Sequence, residues 1–405
     1  MSNEVTGSGS GGGSALMNQP IVMDVGTSTT KAGFAGGAKP KVVIGTKVGR
    51  AKHMRIMPGG ALEQEMTSGP TSVFVGSKLD EHRGAFILDY PMDKGHVLDG
   101  NWGDMEKIFE HIYSKQNLNA KMDEHPVLLT EPPLNPQTNR EQIAEIFFET
   151  YRAPAVFFSP PAVLSLYASG RTTGVVLDVG DGLTHCVPIY EGYALPHSIT
   201  RSDVAGRDVT KRLQLLLRKS GLAFNTTAES DLVKTMKEEL CFVSQKNKSI
   251  DQGGSKANAG DDKESEKVIY QLPDGQAVNV SNERHMAPEI LFKPSLIGSE
   301  EMGVADTLIK SIMKSDLDLR PTLFTQIVLA GGSTCTSGFG DRLLSEVREK
   351  APTHTRIRIS APPERIYSAW AGGSILASLS TFKNMWVTRS DYEEYGSNLL
   401  HSSGL

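Results

Sequence analysis

Ile21-Val22-Met23-Asp24-Val25-Gly26-Thr27-Ser28-Thr29-Thr30-Lys31-Ala32-Gly33-Phe34-Ala35-Gly36 is an apolar run that ends in Asp-Val-Gly, passes through small and polar residues, and resumes as a second apolar stretch. Far downstream the phrase returns as Val175-Val176-Leu177-Asp178-Val179-Gly180-Asp181-Gly182-Leu183-Thr184-His185-Cys186-Val187. Each copy reads as strand, tight turn, strand. Two such hairpins facing each other would enclose an anionic ligand from both sides. That geometry points to a nucleoside triphosphate with a metal ion.

The residue types support this reading. Gly26, Gly180 and Gly182 permit positive φ and leave no Cβ in the path of a phosphate. The amides of the turns, the second running Gly180-Asp181-Gly182, can then point at phosphate oxygens as an anion nest. Thr27, Ser28 and Thr29 add neutral donors, and Lys31 adds a positive charge. Asp24 and Asp178 stand near the strand ends and would repel phosphate unless a hard cation intervened, so they imply Mg²⁺ or Ca²⁺ held through water. One Asp-x-Gly turn alone is an ordinary β-turn; two copies in matching strand contexts reverse that preference. A third glycine turn, Leu329-Ala330-Gly331-Gly332-Ser333-Thr334, follows a strand and leads into a helical Phe339–Lys350, which completes a three-sided pocket.

The chain has 405 residues, more than one hydrophobic core usually supports, so two or more domains are expected. A formal net charge of −5 argues against general nucleic-acid binding. Cys186, Cys241 and Cys335 are odd in number and widely spaced, which suggests neither a disulfide framework nor a zinc site and fits a reducing compartment. No apolar run approaches the roughly 18 residues needed to span a bilayer, and no signal-peptide core is evident.

Residues 1–17 are a flexible Gly/Ser-rich tail, and Gln245–Lys267 is a polar surface loop ahead of a strand near Val268. Between them, Asn101–Leu118 has helical spacing of apolar residues, and Thr138-x-x-Glu141 and Ser390-x-x-Glu393 read as helix-starting capping boxes. Val127–Thr130 and Ile327–Ala330 read as short buried strands. Strands alternating with helices give an α/β class, and the duplicated hairpins suggest two related halves.

These residues resemble the actin family. The resemblance is carried by Lys31–Gly36, His125–Glu131, Leu164–Thr173, Pro188–Gly192, Leu272–Gly275 and Gly373–Phe382, and it runs from about Gln19 to the last helix. Asn18–Pro20, Gly60–Glu63, Glu81–Gly84, Tyr113–Lys115, Lys314–Arg320, Gly338–Val347 and Ile357–Pro362 are similar to the centractin branch, whose members build the short filament of dynactin. The resemblance implies an actin-like ATPase fold of two lobes with duplicated ribonuclease-H-like cores, in four subdomains around a nucleotide cleft. The first lobe would span 18–167 plus 368–405, with a docking-loop subdomain inserted at about 49–90; the second would span 168–367, with an insertion at about 205–298.

ATP or ADP with the cation would sit between the hairpins. By matching positions, Gly206, Lys234, Lys237 and Glu238 would approach the ribose and base, and Gly331, Gly332, Ser333 and Cys335 would line the other wall. Lys234, Lys237 and Glu238 lie on a helical stretch, Glu229–Cys241, where a merely solvated face is the alternative. The resemblance further implies self-assembly into a short filament, dynactin-type subunits and dynein adaptors as partners, and a cytoplasmic, cytoskeletal location, with no membrane insertion. The alternatives are a divergent conventional actin, a monomeric actin-related scaffold of a nuclear remodelling complex, and an enzyme proper such as a sugar kinase.

One departure from the family pattern is chemical. A glutamine that helps position the attacking water is replaced by Pro161, in Ser159-Pro160-Pro161-Ala162-Val163-Leu164. Proline starts a helix well, but its side chain neither donates nor accepts. His185 matches the other water-organising residue and remains with Asp178 as the catalytic pair, its alternative being a polar strand residue that merely faces the cleft. Slow hydrolysis at most is therefore expected, because phosphoryl transfer is mostly positioning and electrostatics. Ile366 replaces a lysine near the base, the docking loop His53–Val75 is longer than usual, and His401–Leu405 lacks a basic and aromatic ending.

Overall fold

A computed structural model describes residues 18–52, 73–245, 268–273 and 275–402. The expected tail at 1–17, residues 53–72 of the docking loop, most of the polar tract and the last three residues lie outside the described residues.

The opening stretch folds as the expected hairpin, β1 (Ile21–Val25) antiparallel to β2 (Thr29–Phe34), with Asp24 opposite Lys31 and Val25 opposite Thr30. β3 (Val42–Gly45) adds to β2, while β4 (Val127–Thr130) and β5 (Ala155–Ser159) extend the other side in parallel. The second half repeats the plan. β6 (Gly174–Val179) and β7 (Thr184–Tyr190) form the hairpin, with Asp178 opposite His185. β8 (Tyr193–Ala194) and β9 (Thr200–Ser202) both pair with β7, and β10 (Ile327–Ala330) and β11 (Ile359–Ser360) continue in parallel from β6. β12 (Val387–Thr388) returns to pair with β5. Both sheets therefore have an antiparallel edge followed by three parallel strands, the duplicated ribonuclease-H-like arrangement.

Alternation along the strands explains why both faces of each sheet are buried. Ile21 and Met23 join Val127, Leu129, Ile108 and Phe109 on one face, whereas Val22 joins Leu128, Phe157, Leu164 and Trp370 on the other. Val175, Leu177 and Val179 likewise face Leu213, Leu217 and Leu308, and Val176 faces Ala162, Val163 and Leu166.

The helices follow the expected stretches with shifted ends. α1 is Trp102–Tyr113, shorter than the pattern from Asn101 to Leu118. α2 is Gln137–Glu145; Thr138 lies inside its first turn and Pro136, with its fixed φ, starts it, so the Thr138 capping box does not form. α3 is Pro161–Ala168, with leucine 164 turned to the first sheet and Ala162, Val163 and Leu166 to the second. α4 is Gly206–Lys219, and α5 is Thr227–Leu240, capped reciprocally by Thr226 and Glu229. α6 is Phe339–Lys350 as expected, and α7 is Ser368–Ser378. α3 and α7 cross with backbones nearly touching, since a Cβ on Gly372 would run into the Leu164 carbonyl. α8 is Arg389–Tyr395; its capping box is Thr388 with Asp391, not Ser390 with Glu393, because the chain leaves the sheet at Thr388. The strand expected near Val268 is Val268–Gln271, paired with Ala277–Val280.

Candidate functional site

The two sheets bring their hairpin turns together. Both turns are closed by the same bond: Gly26 N–H donates to the Thr29 carbonyl at 3.2 Å, and Gly180 N–H to the Leu183 carbonyl at 2.9 Å. The turns touch across the cleft, so that a Cβ on Gly182 would lie 2.7 Å from the Thr27 methyl carbon. None of Gly26, Gly180 and Gly182 takes positive φ, contrary to the sequence expectation; close packing demands glycine at 26 and 182 instead. Gly331 does have positive φ, 84°, and a Cβ there would collide with the Asp178 carboxylate and the Val179 carbonyl.

A cavity of about 560 Å³ lies between the two sheets. Asp24, Gly26, Thr27, Ser28, Thr29 and Lys31 line it from the first hairpin, and Asp178, Gly180, Asp181, Gly182 and His185 from the second. Gly206, Lys234, Lys237 and Glu238 come from α4 and α5, and Gly331, Gly332, Ser333 and Cys335 from the third turn. All the residues expected from the sequence are brought together. The third turn reaches α6 through a short 3₁₀ segment, Gly332–Cys335, so the α6 N-terminus begins at Phe339 rather than directly behind the glycines.

Lys234 and Lys237 are not a solvated face. Lys234 Nζ donates to Ser28 Oγ across the cleft at 2.5 Å, and Lys237 Nζ donates to the Gly206 carbonyl at 3.0 Å with Asp181 3.9 Å away. Burial holds the Lys237 ammonium below its ordinary pKa. The third turn is tied to the second hairpin by Ser333 Oγ, which donates to the Gly180 carbonyl at 2.6 Å.

The two aspartates differ in state. Asp24 accepts from Lys31 Nζ at 2.8 Å and from Thr130 Oγ1 at 3.0 Å. Among the described residues Asp178 has only His185 opposite, with Nε2 3.8 Å from Oδ2, outside hydrogen-bond distance. Burial first, then the nearby Asp24 charge, push the Asp178 carboxyl up to about 7, although Lys31 pulls the other way. Burial, aided by Arg201, pushes His185 down to about 3, so the imidazole is neutral. Neither ring nitrogen of His185 finds a hydrogen-bond partner among the described residues.

This constellation fits a nucleotide with a divalent cation. A buried neutral imidazole without partners faces the cavity, the turn at Gly331 would be closed by any side chain, and the two carboxylates repel each other. A cation between them would relieve that repulsion. Among the described residues no group of three or more His, Cys, Asp or Glu is placed to grip a metal directly. Pro161 occupies the first position of α3, preceded by extended Pro160, and lines the same cavity without a polar side chain.

Other lining residues carried no separable sequence signal. Glu131 lines the cavity and is held by Arg140, whose Nε donates at 2.9 Å. Arg365 supports the third turn through Thr334, donating to Oγ1 at 2.9 Å and to the carbonyl at 2.8 Å. Beyond the lining, buried Lys47 donates to Asp231 of α5 and to Asp80, both at 2.8 Å. Burial alone would raise the Asp231 carboxyl, but Lys47, joined by Lys234 and Arg83, outweighs it and holds the pKa low. The Arg365 and Lys47 pairings join residues remote in sequence, so only the folded chain reveals them.

Among the described residues no helix is long and apolar enough to cross a membrane. Residues 15–404 match the family model described as Actin. The chain is also 51% identical over 381 residues to an "Actin-like protein" of Neurospora crassa, a match that covers 94% of this chain and 97% of that protein.

Proposed function

Since the chain belongs to the actin family, we propose that its cleft holds ATP or ADP with Mg²⁺ or Ca²⁺ and that the protein is a cytoskeletal filament subunit with slow hydrolysis. The observation that carries this reading is the convergence of both Asp-Val-Gly turns and the Gly331-Gly332 turn on one cavity. Gly26, Thr27, Ser28, Thr29, Gly180, Asp181 and Gly182 would surround the phosphates. Gly206, Lys234, Lys237 and Glu238 would face the ribose and base from one side, with Gly331, Gly332, Ser333 and Cys335 on the other. Asp24 and Asp178 would hold the cation, which neutralises phosphate charge when bound. Lys31 neutralises Asp24 in the protein alone and would divide its charge between carboxylate and phosphate.

His185, neutral and partnerless, suits water positioning, whereas Pro161 contributes nothing to it. The cradle is therefore better suited to retaining a nucleotide than to turning it over. Fluorescent mant-ATP binding, with and without Mg²⁺, tests the site; no saturable signal at micromolar protein would end this reading.

The assignment of lobes at 18–167 with 368–405 and at 168–367 is supported by β12 completing the first sheet after β10 and β11 have joined the second. The segments Glu81–Gly84, Lys314–Arg320 and Ile357–Pro362 favour the centractin branch, and with it a short filament and dynactin-type partners. Pelleting of tag-free protein with ATP and Mg²⁺ tests assembly, and capture of dynein and dynactin subunits tests the branch. A persistently monomeric protein would favour a nuclear scaffold instead.

A further inference from the structure

Ser165 sits one turn along α3 from Pro161, at the i+4 spacing that places two side chains on one helix face. Both residues line the cleft cavity. Ser165 is 1% exposed, and its hydroxyl has no hydrogen-bond partner among the described residues. A serine within a helix ordinarily points to solvent or bonds back to the carbonyl four residues earlier, and Ser165 does neither. Elsewhere in this chain buried hydroxyls on helices have partners: Thr210 donates to the Gly206 carbonyl at 3.2 Å, Thr307 to the Gly303 carbonyl at 3.0 Å and Ser311 to the Ser198 carbonyl at 2.8 Å. Ser165 therefore carries its hydroxyl off the helix backbone although it is buried, a placement that costs free energy. Ser159 is also buried and unpartnered, but it does not line the cavity.

The strands beneath α3 supply the complement. α3 packs on β6 and β7, the strands that carry Asp178 and His185. Ser165 and His185 are thus two nearly inaccessible, partnerless polar side chains on packed elements, opening on one cavity whose phosphate-facing wall is the Gly180 turn. A water needs two to four polar partners to be held in place. At the position where the family pattern has glutamine, Pro161 offers none.

We propose that the Ser165 hydroxyl is a positioning residue for the attacking water, acting with His185 in place of the missing glutamine amide. The hydroxyl can donate to or accept from the water while the imidazole takes the other side. This rests on the nucleotide reading given above and refines it: the site keeps a reduced water seat rather than none. It also accounts for a buried hydroxyl with no structural bond.

Ser165→Ala tests the assignment in three measurements. Single-turnover phosphate release from ATP should fall about tenfold, the equivalent of one lost hydrogen bond to the water. Affinity for mant-ATP should stay within about twofold. The melting temperature of the nucleotide-free protein should hold or rise, because an unsatisfied buried hydroxyl has been removed. Unchanged phosphate release would overturn the proposal, as would a wild type that binds nucleotide and releases no phosphate. A lower melting temperature would assign Ser165 a structural role and overturn it as well. All three outcomes leave nucleotide binding standing, whereas a wild type that fails to bind mant-ATP removes both readings.

Discussion

Asp178 and His185 face each other from adjacent antiparallel strands in the register that Asp24 and Lys31 occupy in the other half, yet their closest polar atoms are 3.8 Å apart against 2.8 Å for the other pair. The duplication has kept an acid opposite a base in both hairpins. Only one of the two pairs is an ion pair.

Burial of Asp178, with the Asp24 charge nearby, should make stability depend on pH. Its carboxyl rises from 3.8 to about 7 on folding, so between these values the folded state binds the extra proton and stability falls as pH rises. Asp178→Asn removes that loss. In nucleotide-free protein its melting temperature should exceed that of wild type above pH 7, and the difference should vanish below about pH 4. Added Mg²⁺ should narrow the gap at pH 8 by stabilising wild type alone. A gap that is constant with pH would refute the assigned cause.

Pro161→Gln should restore a water-orienting amide at the start of α3. Phosphate release should rise about tenfold or more, with nucleotide affinity little changed. If wild type already matches the variant, the proline is not what limits the reaction.

The Lys47 ammonium forms a buried ion pair with Asp231 of α5, the helix that also carries Lys234 and Lys237, and a half-exposed one with Asp80. Lys47→Met leaves Asp231 buried with only Arg83, 3.7 Å away, as a cation within salt-bridge reach among the described residues. Breaking such a pair from one side costs about 3–5 kcal/mol. Denaturant unfolding should report that loss, and bound mant-ADP should leave faster. Unaltered release together with the expected destabilisation would separate the clamp from nucleotide retention.

Gly182→Ala places a methyl group 2.7 Å from the Thr27 methyl carbon and 3.0 Å from the Lys94 amide nitrogen. Overpacking of this kind costs about 1–3 kcal/mol. Because the contact crosses the cleft, the strain should be relieved by parting the lobes, and mant-ATP affinity should weaken about tenfold with a small change in melting temperature. Full affinity in this variant would mean that the turns do not need to touch.

The repeated Asp-Val-Gly phrase was enough to read two hairpins, a facing arrangement and most of the cavity lining, because strand–turn–strand chemistry is local. Helix ends were less legible. Thr138 and Ser390 carry the right spacing for capping boxes, but Pro136 and the end of β12 decide where those helices begin. Gly26 and Gly182 were found for a partly wrong reason: neighbours crowd them, and φ is positive at neither. Ser165, Lys47 and Arg365 escaped altogether. Their significance depends on burial and on partners far away in the chain, and no short-range pattern encodes either.

The two turns with matching closing bonds also give the cradle a direction. Thr27 and Ser28 present hydroxyls at the tip of one, whereas the other presents Asp181, held by Arg207 and Lys237, beside the bare Gly182. A dimer of identical hairpins could not tell one end of a polyphosphate chain from the other. Divergence at the two tip positions makes the cleft handed, so a ligand enters in one orientation and its two ends meet different chemistry.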